Sequence, residues 1–209
     1  MYSSIKKYCE ERILEFGEIN SERKLLLNKI SNYISEKRKE NKPVNLIYIC
    51  THNSRRSHFG QIWAQVAAAY FDMNDVHSFS GGTEETAFHP NAIEALRKCG
   101  FEIKAEKIEK NPVYHLLFSE DNKPLICFSK KYDHKINPQT EFVAIMTCSD
   151  AEQNCPFIPG VELRIGTTYD DPKAFDNTPL QDKKYSERCM QIARETFYVF
   201  SKAKELMHA

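Results

Sequence analysis

Cys50-Thr51-His52-Asn53-Ser54-Arg55-Arg56-Ser57 follows directly on the apolar run Val44-Asn45-Leu46-Ile47-Tyr48-Ile49. A thiol, five residues and then Arg-Ser, set between an expected strand and an expected helix, can wrap a tetrahedral anion. Backbone N–H groups of such a loop, and those of the helix N-terminus behind it, point at the anion's oxygens. Arg56 offers a planar fork that grips two oxygens, which a lysine ammonium cannot do. The same positive field favours the Cys50 thiolate, the form that attacks. Ser57 can hydrogen-bond the sulfur, and Thr51, His52, Asn53, Ser54 and Arg55 complete the cradle. These residues point to an enzyme acting on phosphate or a phosphate-like oxyanion.

An α/β pattern starting at Pro43 must position that loop. Val44 to Ile49 is nearly continuous in apolar residues, as expected of a strand covered on both faces. Ser57 to Phe71 reads as a helix with Phe59, Ile62, Trp63, Val66, Ala67 and Tyr70 on one side. Val76 to Ser80 reads as a strand closed by Gly81-Gly82. Pro90 to Cys99 reads as a helix with proline in its first turn and Gly100 as its stop. Phe142 to Thr147 and Val161 to Ile165 are two further strands, and Ser186 to Leu206 is an amphipathic helix. Between Lys107 and Asn137 the rhythm lapses. There, Val113 to Phe118 and Leu125 to Phe128 flank Glu120-Asp121-Asn122-Lys123 as a β-hairpin insertion, either an edge extension or a lid.

Ahead of this unit, residues 1–42 read as an N-terminal helical extension, with 43–209 as the catalytic domain carrying the insertion at about 107–137. Ser3 to Phe16 places Ile5, Cys9, Ile13 and Phe16 at helical spacing. Asn20 or Ser21 can cap a second helix reaching Lys39, with Leu25, Leu26, Ile30, Tyr33 and Ile34 as its stripe. The two form a helical hairpin packed on the core or on a partner subunit.

With 29 basic and 29 acidic residues among 209, no global field recruits nucleic acid or an anionic membrane. No apolar stretch approaches the roughly 18 residues that span a bilayer, and the charged N-terminus does not resemble a secretory signal. The expected setting is cytoplasmic. Seven cysteines, at 9, 50, 99, 127, 148, 155 and 189, are spread along the chain as an odd set. In a reducing compartment they read as free thiols with a possible catalytic subset. Cys9, Cys99, Cys127 and Cys189 sit in apolar contexts and read as small core hydrophobes. His58 and His89 read as surface or helix-end residues.

Three further segments stand in order behind the loop: Ser80-Gly81-Gly82-Thr83-Glu84 with His89-Pro90-Asn91-Ala92, then Thr147-Cys148-Ser149-Asp150-Ala151-Glu152-Gln153-Asn154-Cys155-Pro156, then Tyr169-Asp170-Asp171-Pro172. With the loop they resemble the low-molecular-weight tyrosine phosphatase superfamily, and more specifically its thioredoxin-coupled arsenate reductases. The resemblance covers roughly Val44 to Lys107 and Glu141 onward. It implies a small doubly wound α/β fold of four parallel strands, with the anion loop at a carboxyl edge. It also implies Cys50 as nucleophile, Arg56 as oxyanion clamp, Asn53 as loop brace and Ser57 as the thiolate's partner. Asp171, directly before Pro172, is the implied general acid, with Asp170 as its competitor.

The resemblance divides on the second thiol. Ester hydrolysis needs Cys50, Arg56 and Asp171 alone, passing through a phosphocysteine. Arsenate reduction needs two electrons, so Cys148 would attack the Cys50 adduct and Cys155 would carry the disulfide to thioredoxin, the mobile segment Ser149 to Asn154 letting them meet. The implied function is thiol-dependent reduction of arsenate to arsenite. The alternatives are a phosphotyrosine-type (aryl phosphate) phosphatase, and a non-catalytic oxyanion-binding or redox-sensing protein. Zinc fits the C-x6-C spacing poorly, and no tightly bound cofactor is expected. His52 stands where the family commonly has glycine, which accepts a positive φ more freely. Gln61 stands where the reductases often have a carboxylate supporting potassium, leaving Asn53 and Ser80 as a possible weak potassium site.

Overall fold

Four parallel strands in the order β2-β1-β6-β7 carry the fold. In the computed structural model, which describes residues 1–121, 123–154 and 157–208, two helices come first, α1 (Ser3–Leu14) and α2 (Ser21–Lys39). They are followed by β1 (Val44–Cys50), α3 (Arg56–Tyr70), β2 (Val76–Gly82) and α4 (Pro90–Lys98). An antiparallel sheet of β3 (Glu102–Ala105), β4 (Tyr114–Leu117) and β5 (Leu125–Cys127) intervenes. The parallel sheet then resumes with β6 (Phe142–Met146), α5 (Ser149–Asn154), β7 (Val161–Gly166) and the long α6 (Gln181–His208). Among the described residues no helix is long and apolar enough to cross a membrane.

The apolar run of β1 is buried because its two faces meet different cores. Leu46 and Tyr48 join Val143 and Ile145 of β6 beneath the large layer built by α1, α2, α3, α4 and α6. Ile47, Ile49 and Cys50 join Ala144, Met146, Cys148, Ala151 and Ile158 on the other face. From Leu46 to Ile49 this alternation follows from the two-residue period of a strand; Cys50, at the strand's end, departs from it and packs with Ile49. β1 pairs with β2 from Val44↔Val76 to Cys50↔Gly82, so the carboxyl ends of both strands arrive together at the loop.

On the large face α3 lies directly on β1. A Cβ at Gly60 would stand 2.2 Å from Tyr48 Cδ1, so only glycine permits this approach. Trp63, one turn on, is fully buried. It stacks on Tyr8 of α1 at 5.1 Å and meets Phe197 of α6 edge-on at 6.4 Å, while its Nε1 donates to Cys189 Sγ at 3.2 Å. A side chain of this size contributes several kcal/mol to the core, roughly 3–5 by truncation.

The N-terminal helices therefore pack on α6 of the same chain, with Ile5, Cys9, Leu27, Ile30 and Ile34 inside the main core. Asn20 caps α2 by accepting from Arg23 N at 2.8 Å. The expected stripe is corrected at one position: Leu25 is 68 % exposed and Leu27 takes its place inside. Gly100, with φ +106°, ends α4 as expected.

The insertion is larger than the expected hairpin. β3 pairs with β4, and β4 with β5, as an antiparallel meander. Its return limb runs along the end of β2, where Gly82 N donates to Lys130 O and Tyr132 N to Gly82 O, both at 2.9 Å. The segment 149–154 forms the short helix α5.

Candidate active site

Cys50 is the last residue of β1, and α3 begins six residues later at Arg56. The loop between them bends at Asn53, which adopts φ 43° and is fully buried. His52, at the position where glycine was the expected requirement, is not the residue that takes the left-handed conformation. Asparagine tolerates that region because its short polar side chain bonds locally. Here Asn53 Nδ2 donates to Ser57 Oγ at 2.8 Å, and Oδ1 accepts from Lys130 N at 2.9 Å.

The Asn53 contact has a chemical consequence. An amide nitrogen only donates, so the Ser57 oxygen accepts and its own hydrogen is free to point at sulfur. Cys50 Sγ lies 3.1 Å from Ser57 Oγ. The hydroxyl thus offers the thiolate a hydrogen bond.

Other contacts close the loop from the outside. Ser54 Oγ donates to Ala87 O at 2.7 Å, and His52 O accepts from Thr86 Oγ1 at 2.9 Å and Ser129 Oγ at 3.0 Å. Gly82 sits where no side chain fits, since a Cβ there would meet Glu84 O at 2.4 Å and Thr51 O at 2.7 Å.

The two arginines divide their tasks. Arg56 donates through one terminal nitrogen to Tyr169 O at 2.8 Å and through the other to Asp171 Oδ2 at 2.6 Å. Its Nε is buried with no partner among the described residues, a donor left over for an oxyanion oxygen. Arg55 turns inward. Its Nε donates to Tyr185 OH at 2.7 Å and a terminal nitrogen reaches Asp176 Oδ2 at 3.3 Å. Tyr185 OH in turn donates to Asp176 Oδ1 at 2.7 Å, and burial with the Asp176 bond pushes this phenol up to about 12. Nothing in the sequence marked Tyr185 or Asp176, because they lie 130 and 121 residues beyond Arg55.

Of the paired aspartates, Asp171 faces Arg56 and also caps the turn Pro172–Phe175 by accepting from Lys173 N at 3.0 Å. Asp170 points out to solvent and among the described residues reaches Arg188 alone, at 3.4 Å. Cys148, at the start of α5, lies on the same side of the sheet as Cys50. Its Sγ is 3.4 Å from Thr51 Oγ1, which donates to Asp150 Oδ2 at 2.7 Å. Cys155 falls outside the described residues.

His58 corrects the surface expectation. It is fully buried, stacks on Phe88 at 4.0 Å, and its Nδ1 is 3.3 Å from Ser80 Oγ. Burial, helped by the Lys130 charge, holds its pKa well below the usual imidazole value. His89 is the helix-end residue expected, its Nδ1 accepting from Asn91 N at 3.3 Å. Asn53 and Ser80 do not fit a potassium ion. Asn53 Oδ1 and Ser80 Oγ are both engaged, Gln61 supplies no charge, and the buried Lys130 ammonium acts on the same region.

No protein-family model matches the chain. Curated relatives do: an arsenate reductase of Staphylococcus aureus (strain Newman) is 30% identical over 127 residues, 61% of this chain and 77% of its own length. Arsenate reductase 2 of Staphylococcus epidermidis is 29% identical over the same span. Among solved structures, a low molecular weight phosphotyrosine phosphatase from Vibrio cholerae O395 superposes with a TM-score of 0.52 at 13% identity. It covers 76% of this chain and 95% of its own. An arsenate reductase in a phosphate-binding state gives 0.52 at 17% identity, over 76% and 98%. With its four-stranded parallel sheet and these relatives, the chain is an enzyme that belongs to the low-molecular-weight protein tyrosine phosphatase superfamily, close to its arsenate reductases.

Proposed function

We propose that the protein reduces arsenate to arsenite with Cys50 as nucleophile and Cys148 and Cys155 as a disulfide relay. The observation that carries the reading is the second thiol: Cys148 Sγ lies 3.4 Å from Thr51 Oγ1, a residue of the anion loop itself. Ester hydrolysis has no use for a thiol there. The staphylococcal relatives named arsenate reductase support the same choice.

In this reading the arsenate sits in the 50–56 loop, its oxygens held by backbone N–H groups and by Arg56, which releases Asp171 to do so. Cys50 attacks arsenic, and an oxygen leaves as water after taking a proton from Asp171. Cys148 then attacks the Cys50 sulfur. The sulfur–arsenic bond breaks with its electron pair on arsenic, giving arsenite and a Cys50–Cys148 disulfide. Cys155 attacks Cys148, freeing Cys50, and a thioredoxin-type dithiol reduces the Cys148–Cys155 disulfide.

A phosphatase reading shares Cys50, Arg56 and Asp171 and ends with water attacking a phosphocysteine. The contact of Asp171 with the clamp favours it equally, since an acid is needed in both reactions.

The test couples arsenate-dependent NADPH oxidation to thioredoxin and thioredoxin reductase, with phenyl phosphate hydrolysis in parallel. Arsenate turnover lost in Cys148→Ser and Cys155→Ser, with hydrolysis unaffected, supports the relay. Absent arsenate turnover with hydrolysis indifferent to both thiols overturns it in favour of the phosphatase.

A further inference from the structure

Lys130 is 2 % exposed yet has no carboxylate partner among the described residues. Its ammonium lies 4.8 Å over the Phe128 ring. An ammonium taken out of water without a counter-ion is unfavourable, and an apolar side chain of similar length would be the more stable choice. Its neighbours show what surrounds it. Lys130 N donates to Asn53 Oδ1, the side chain that sets the loop's left-handed turn, and Lys130 O accepts from Gly82 N. Ser129 Oγ donates to His52 O. Asn111 pins the limb by donating to Ser129 O at 2.8 Å and accepting from Ser129 N at 3.2 Å. Asn137 Oδ1, further along the same limb, is buried without a partner among the described residues. Asn137 Nδ2 donates to Ser80 O at 3.1 Å, which ties this group to the end of β2.

We propose that the return limb of the insertion is a positioning device for the anion loop, with Lys130 as a fixed internal cation behind it in the role a bound monovalent metal ion would otherwise fill. The limb holds His52 and Asn53 from outside the loop. The charge raises the potential at the start of α3 and favours a tetrahedral dianion in front. This rests on the loop being an oxyanion site, as proposed above. Lys130 touches neither substrate nor nucleophile; it is a positioning residue.

Phosphate is the probe. Its dissociation constant is measured by calorimetry at pH 7 for the wild type and for Lys130→Met, in potassium and in sodium chloride at equal ionic strength, alongside thermal unfolding. Removing a unit charge set back from the ligand should weaken phosphate about three- to tenfold, while the melting temperature stays level or rises. A merely structural lysine predicts no such opposition. Wild-type affinity should not distinguish potassium from sodium. Equal phosphate affinity in Lys130→Met, or wild-type binding tightened specifically by potassium, overturns the inference. Wild type that binds no phosphate in either salt would instead overturn the reading of the loop, and the inference with it. Should Lys130→Met not fold, Lys130→Gln removes the same charge with a polar side chain and is judged by the same criterion.

Discussion

In the proposed reaction Asp171 and an incoming oxyanion compete for Arg56, and Asp171→Asn separates the two roles assigned to this carboxylate. Asp171 Oδ2 accepts from Arg56 at 2.6 Å, with 28 % of the aspartate side chain exposed. An asparagine keeps an oxygen to cap Lys173 N but removes the charge. Partial exposure limits the lost pairing to about 1 kcal/mol. Relief of the repulsion between a carboxylate and a bound dianion adds up to about 1 kcal/mol more. Phosphate should therefore bind roughly 5- to 30-fold more tightly to Asp171→Asn. Turnover should move the other way. Loss of a positioned proton donor lowers kcat on phenyl phosphate, a poor leaving group, by about 10²–10⁴. Calorimetry with inorganic phosphate and initial rates on phenyl phosphate read the two effects separately. Unchanged or weaker phosphate binding would refute the competition for Arg56. Unchanged kcat would refute the acid.

Ser57→Ala removes the hydroxyl 3.1 Å from Cys50 Sγ and should slow alkylation of Cys50 by iodoacetamide at pH 7 about tenfold, for the loss of about 1.4 kcal/mol of hydrogen bonding to the thiolate. Lys130 is depressed by burial to about 8 against 10.5 in the unfolded chain, despite the opposing influence of Cys127. Below pH 8 the folded state carries the full penalty, which fades as pH rises through 10.5. Lys130→Met should thus gain about 1–3 kcal/mol in urea unfolding at pH 7, with most of that advantage gone at pH 10. Gly82→Ala forces a methyl group against Glu84 O and Thr51 O; it should destabilise by about 2–4 kcal/mol in denaturant titration and weaken phosphate binding.

The parallel strands were legible because burial on both faces leaves continuous apolar runs, as in β1 and β6. The loop between β1 and α3 was legible as a candidate site because its residue types are local: thiol, arginine and serine lie within eight residues. β3 escaped notice because only Ile103 of its four residues is buried; an edge strand of this length carries almost no period. His58 was misread because helix α3 is covered nearly all round, so its position on the helix gave no sign of which face met water. The inward turn of Arg55 and the burial of Lys130 depend on partners brought in from distant segments. In sequence, Lys130-Lys131 looks like any solvated pair. Cationic residues in a loop are usually hydrated, and only the insertion's docking along β2 makes this one an exception.

The last helix, α6, lies against α1 and α2 as well as α3 and α4, and Arg23 of α2 bonds Glu195 of α6 at 2.8 Å. These two helices thus find much of their cover in a helix that lies more than 150 residues further along the chain. Contacts separated by more than 150 residues must wait for loop closure, which slows folding and leaves apolar surface open in the meantime. At about 5–20 residues per second, the faces of α1 and α2 that meet α6 stay open for several seconds before that helix emerges. A nascent chain should expose that surface to holding chaperones until α6 is made, and a shortened α6 should act as a folding defect before it acts as a catalytic one.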